Sequence, residues 1–157
     1  MKSTTCMICL LIAIALVAIP VGHAASSASA STESANVPQL SPEELVKILQ
    51  GRGEKPLIFQ VGFHVLYVQA HIPGSEYAGP GSDEVGLQLL WKRVASLPKN
   101  RFIVLYCGCC PWAHCPNVKP AYDELHARGF TNVKVLHIAD NFGTNWVDKG
   151  YPVAKGQ

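Results

Sequence analysis

Residues 107–117 read CGCCPWAHCPN, placing four thiols, two prolines, a tryptophan and a histidine in one short stretch. Thiols so spaced open three kinds of chemistry: nucleophilic attack by one thiolate, dithiol–disulfide exchange, and capture of a soft metal ion. All four cysteines beyond residue 24 lie here, so they cannot staple distant parts of a fold, and their work is local. Cys107 and Cys110 form a C-x-x-C pair. The whole pattern, C-x-C-C-x4-C, is too tight for the usual paired zinc knuckles; no metal is expected, and a site, if formed, would draw on Cys107, Cys109, Cys110, Cys115 and His114.

Position sharpens the choice. Cys107 follows the apolar run FIVLY and precedes a helical pattern that starts near Val118. Chemistry in α/β sheets gathers where a strand's carboxyl end meets the next helix's N-terminus. The free N–H groups and dipole there favour an anion, an environment expected to lower the Cys107 thiol pKa. The plainer reading is that a cysteine at a strand end is a small buried hydrophobe.

The elements around this loop follow a strand–helix rhythm from residue 37 onward. In SPEELVKILQGRG, Ser41 caps, Pro42 suits the first helical position and Glu44 completes a capping box, with Leu45, Ile48 and Leu49 on one face. KPLIFQVG reads as a buried strand and FHVLYVQA as a short helical turn, while HIPGSEYAGPG is rich in turn formers and reads as an ordered loop. From Ser82, residues Leu87, Leu90, Trp91, Val94 and Leu97 recur with helical spacing up to Pro98. RFIVLYC and NVKVLHIA are apolar strands, Val118, Ala121, Tyr122 and Leu125 mark a helix ended by Gly129, and a short last helix is expected around Trp146. Uniformly apolar strands alternating with amphipathic helices predict an α/β domain with a parallel sheet covered on both faces.

Before this domain, Lys2, the uncharged run 6–19 and the small residues Gly22 and Ala24 read as a secretory leader cleaved after Ala24. The run is short of the roughly 20 apolar residues a bilayer core needs, so no stable membrane anchor is expected after cleavage. Residues 25–36 are small and polar and read as a flexible linker, leaving residues 37–157 as one domain, exported to the periplasm or secreted. The net charge is +2, with Lys and Arg scattered singly; no nucleic-acid surface is indicated.

HIPGS, IVLYC with its loop and helix, ELHARGFTNVKVL and WVDKGYPV together resemble the rhodanese-like (sulfurtransferase) domain in its single-domain form, over Leu40 to Val153. The resemblance implies a five-stranded parallel sheet with helices on both sides. It also implies a catalytic Cys107 that carries sulfane sulfur as a persulfide cradled by loop N–H groups, with no cofactor. Thiosulfate or a persulfide would be the donor and a thiol or other thiophile the acceptor. Two departures stand out. Gln60 and Gly62 replace the acidic and basic pair that commonly braces the domain after the second strand, and the loop is longer than the family's usual form.

Around Cys107, the loop residues Gly108, Pro111, Trp112, Ala113, His114 and Asn117, with Lys119 beyond, are candidate site residues. His114 and Lys119 are the nearest cations, Trp112 stiffens or covers the loop, and Pro111 and Pro116 lack N–H donors. His71 in HIPG belongs to a structural turn rather than to the chemistry. A neighbouring thiolate could attack a Cys107 persulfide; Cys110 is favoured by its C-x-x-C distance, Cys115 is second if the loop folds back, and Cys109 is third. The alternatives are an exported dithiol–disulfide redox protein using Cys107 and Cys110, with a protein reductant as partner, and a non-enzymatic zinc, copper(I) or sensor domain. A true thioredoxin is disfavoured because too little chain follows Pro152 for its closing hairpin. A phosphatase of this fold would want a cation at position 113, where Ala113 stands.

Overall fold

The computed structural model describes residues 37–156, so the leader and linker read from the sequence lie outside the described residues. The chain runs β1 (Gln39–Leu40), α1 (Pro42–Gln50), β2 (Leu57–Gln60), α2 (His64–Gln69), β3 (Glu76–Tyr77), α3 (Glu84–Val94), β4 (Ile103–Tyr106), α4 (Val118–Ala127) and β5 (Val133–Leu136). A one-turn 3-10 helix, Trp112–His114, and a π-helical turn, Gly143–Val147, complete it. Five parallel strands form one sheet in the order β1-β5-β4-β2-β3. The expected architecture is present. No helix among the described residues is long and apolar enough to cross a membrane.

Central β4 is buried along its whole length, and the two-residue side-chain period sends its residues alternately to two cores. Ile103, Leu105 and Cys107 join Phe59, Val61, Leu90, Val94 and the α4 residues Val118, Ala121 and Leu125 on one face. Val104 and Tyr106 join Leu45 of α1, Ile72, Phe142 and Trp146 on the other. Each fully buried aliphatic side chain contributes about 1.5–3 kcal/mol. Period therefore places Cys107 on the face covered by α3 and α4.

Local signals set the helix ends. The Ser41 hydroxyl accepts from the Glu44 N–H at 3.1 Å and the Glu44 carboxylate accepts from the Ser41 N–H at 2.7 Å, the reciprocal box expected from the sequence. Helix α3 starts two residues later than Ser82 because Asp83 is its cap, its carboxylate accepting from the Gly86 N–H at 2.7 Å. The segment read as a loop, residues 71–81, contains β3, whose two residues pair with Phe59 and Gln60.

Candidate active site

Cys107 lies one residue past β4, buried, with the loop 107–117 arching from it to the start of α4. Two backbone bonds tie this loop to the segment after β5. The Trp112 N–H donates to the Ile138 carbonyl at 2.8 Å, and the Phe142 N–H donates to the Gly108 carbonyl at 2.9 Å. Gly108 has φ +83°, and a side chain there would meet Phe142 Cβ at 2.8 Å, so only glycine fits this turn. Trp112 is half-buried against the α3/α4 core, which makes it the apolar anchor of the loop.

Asn117 is the residue whose importance spacing least reveals. It sits at the N-cap of α4 yet makes no cap bond; instead it is fully buried. Its Nδ2 donates to Cys107 Sγ at 3.4 Å and its Oδ1 accepts from the Ser82 N–H at 3.1 Å. Diverting this side chain leaves the first N–H groups of the helix without the usual cap acceptor. Those of Asn117 and Val118 are directed at Cys115.

The floor of the site comes from the end of β2. Gln60, buried, donates from Nε2 to the Cys107 carbonyl at 3.0 Å and accepts at Oε1 from the Gly62 N–H at 3.2 Å. One neutral amide thus bridges the β2 and β4 ends where the resemblance implied the loss of a bracing ion pair. Gly62 makes room for the sulfur: a Cβ there would lie 2.6 Å from Cys107 Sγ.

Sulfur positions reorder the thiols. Cys107 Sγ lies 3.1 Å from Cys109 Sγ, which lies 3.0 Å from Cys110 Sγ. The sulfurs of Cys107, Cys109 and Cys115 all lie within 4.8 Å of one another, a three-thiol group that could meet a thiophilic ion. Neither Cys110 nor His114 belongs to that group. Cys110 Sγ instead faces Cys109 and the His114 carbonyl, and the His114 side chain is exposed. Lys119 pairs with Asp123 one turn along α4 at 2.6 Å. His71 is buried, its Nδ1 2.8 Å from the Tyr67 carbonyl and its ring stacked on Tyr67, as a structural turn requires.

Electrostatics correct the expectation that the helix terminus ionises Cys107. The Cys107 thiol is pushed well above its ordinary range, first because it donates to Cys115, then by burial and by the negative charge of Cys115; the Cys109 N–H opposes this. Cys115 is pushed down to about 6, chiefly by the bond from Cys107 and then, against burial, by the N–H groups of Asn117 and Val118. Cys110 is pushed up to about 12, with burial the largest cause. The loop delivers Cys115, eight residues on, to the helix start, where the Asn117 and Val118 N–H groups favour a thiolate on Cys115 over one on buried Cys107.

Beside the loop opens a cavity of about 330 Å³, lined by Gln60, Leu66, Gln69, Phe142, Val147 and Cys109 among others, with no charged residue in its wall.

No family model matches the chain, and no curated protein matches it. Its fold is similar to solved structures. The rhodanese-like domain of an Anabaena protein is 21% identical, with a TM-score of 0.55 over 75% of this chain and 79% of that one. A rhodanese-like domain protein from Staphylococcus aureus is 14% identical, with a TM-score of 0.53 over 77% of this chain and all of that one. Thiosulfate sulfurtransferase from Pseudomonas aeruginosa is 21% identical, with a TM-score of 0.59 over 80% of this chain, but only 21% of its own length is spanned.

Proposed function

We propose that this chain, whose fold is rhodanese-like, is a sulfurtransferase that moves sulfane sulfur from thiosulfate or a persulfide donor to a thiophilic acceptor through a persulfide on Cys107. The observation that carries this reading is the placement of Cys107 Sγ at the β4 end, against Gly62 and the Asn117 amide, on a rhodanese-like sheet. As Cys107 Sγ attacks the outer sulfur of the donor, its proton passes to the Cys115 thiolate, whose sulfur lies within 4.8 Å. Sulfite or a thiolate leaves, and the new S–S bond holds the sulfane sulfur. The Cys109 N–H, already directed at Cys107, and the Asn117 amide supply donors for the developing charge. The uncharged cavity wall suits an organic persulfide better than dianionic thiosulfate, since no cation there balances two negative charges. Residues 1–24 support export as the setting of this reaction.

Mass spectrometry of the reduced protein treated with donor tests the proposal. A gain of about 32 Da on the peptide bearing Cys107, absent from Cys107→Ser, is the expected result. Wild-type-like transfer by Cys107→Ser removes the assignment.

A further inference from the structure

The three-thiol group raises a question that sulfur transfer alone does not answer: what becomes of a persulfide formed beside two other thiols. We propose, building on the sulfurtransferase reading, that Cys115 resolves the Cys107 persulfide, attacking Cys107 Sγ, expelling the outer sulfur as hydrosulfide and leaving a Cys107–Cys115 disulfide.

Geometry selects Cys115 among the three neighbours. Cys110, favoured by its C-x-x-C spacing, lies outside the three-thiol group, its sulfur against those of Cys109 and Cys115 and the His114 carbonyl. Cys109 has the nearest sulfur, at 3.1 Å, but only Gly108 separates it from Cys107. A disulfide there must close a small ring through a glycine at φ +83° whose carbonyl accepts the Phe142 N–H. Cys115 reaches the group from the far end of the loop, so a bond to Cys107 closes a wider ring. It also follows the 3-10 turn, fixed by its own N–H donating to the Trp112 carbonyl at 3.1 Å. The Asn117 and Val118 N–H groups face its sulfur at the start of α4, a position that favours a thiolate.

The step balances without an outside reactant. During loading Cys115 takes the Cys107 proton, and the same proton passes back to the outer sulfur of the adjacent persulfide. The Cys115 thiolate then forms the Cys107 Sγ–Cys115 Sγ bond while the bond from Cys107 Sγ to the outer sulfur breaks. That sulfur departs as hydrosulfide with the bonding electron pair and the proton. It is reduced by two electrons, and the two cysteine sulfurs are oxidised to a disulfide. A second turnover requires a dithiol reductant acting by thiol–disulfide exchange.

The full chain, reduced and freed of reductant without oxygen, is loaded with thiosulfate or with an organic persulfide, glutathione persulfide, and desalted. Hydrosulfide is then trapped with monobromobimane over time, and the peptides are mapped without reduction. Wild type is expected to release one hydrosulfide for each Cys107 persulfide while a Cys107–Cys115 linked peptide accumulates at the same rate. Cys115→Ser, counted only on its loaded fraction, is expected to slow release about tenfold or more, and by more than Cys109→Ser or Cys110→Ser. The wild-type peptide map stands even where a variant fails to fold. Undiminished release from loaded Cys115→Ser, or a wild-type disulfide from Cys107 to Cys109 or Cys110, overturns the role of Cys115 and leaves the sulfurtransferase reading intact. Absence of a Cys107 persulfide with both donors takes down both.

Discussion

Gly62→Ala isolates the contact on which the site is built. Gly62 lies outside the left-handed region, so alanine meets no backbone strain there, and every consequence comes from the added methyl group. Its Cβ would lie 2.6 Å from Cys107 Sγ, 2.9 Å from Gln60 Nε2 and 3.3 Å from the Cys107 carbonyl oxygen. A carbon and a sulfur rest nearly 4 Å apart, so about 1 Å of movement is required of a sulfur hemmed in by Asn117 and Cys109. Overpacking costs about 1–3 kcal/mol, and the lost unfolded-state freedom of glycine offsets about 0.4–1 kcal/mol of it. The net is a destabilisation of about 1.5 kcal/mol, or roughly 5 °C in Tm for a domain of this size. Displacing a reacting atom by about 1 Å costs on the order of 100-fold in rate. Thermal unfolding followed by circular dichroism gives the first quantity. The rate of persulfide loading on Cys107, measured by mass spectrometry at a temperature where the variant is folded, gives the second. A variant with unchanged Tm and unchanged loading would refute the argument that Gly62 is glycine to admit this sulfur.

Asn117→Ala removes the amide donor from Cys107 and leaves the Ser82 N–H without its acceptor, so chemical denaturation should report a loss of about 1–3 kcal/mol, accompanied by slower loading. Gln60→Glu places a buried carboxyl against the Cys107 carbonyl, which raises its folded pKa above the unfolded value. Its stability should match wild type near pH 4 and fall as pH rises toward 7, by about 2 kcal/mol or more, whereas a pH-independent difference would contradict the placement. Iodoacetamide labelling of the reduced protein, mapped by peptide mass, should favour Cys115 at neutral pH with half-maximal reactivity near pH 6, while Cys110 should stay protected until about pH 12.

What the sequence could convey depended on how local each determinant is. The capping box of α1 and the apolar rows of α3 and α4 are set within their own helices, and the structure places them as read except that α3 stops at Val94 and leaves Leu97 beyond its end. Strands β1 and β3 have two residues each, too few for any period; they are strands only because Val135 and Leu136 lie beside Gln39 and Leu40, and Phe59 and Gln60 beside Glu76 and Tyr77. The position of Cys107, at a strand end before a helix, was legible from the apolar run before it and the helical pattern after it. Which thiols gather around it was not. Counting residues favours Cys110, but Gly108 turns the chain, Trp112 pins it to Ile138, and Asn117 draws the far end back until Cys115 lies beside Cys107. The same limit hid which thiol the helix start favours, since the Asn117 and Val118 N–H groups meet Cys115. Gln60 looked like the absence of an ion pair, and only the fold shows its amide holding two strand ends together.

The bonds that hold the loop at Ile138 and Phe142 also bear on how this site could be moved between proteins. The eleven residues of the loop are not a module. Transplanted by itself onto another sheet of the same topology, CGCCPWAHCPN would arrive without the carbonyl that receives the Trp112 N–H and without the phenylalanine that closes over Gly108. The transferable unit is discontinuous: the loop, the 138–142 segment that clasps it, and the Gln60 and Gly62 pair beneath it. An engineer seeking this cysteine cluster elsewhere must carry three separate pieces of chain, and mutational drift in any one of them constrains the other two.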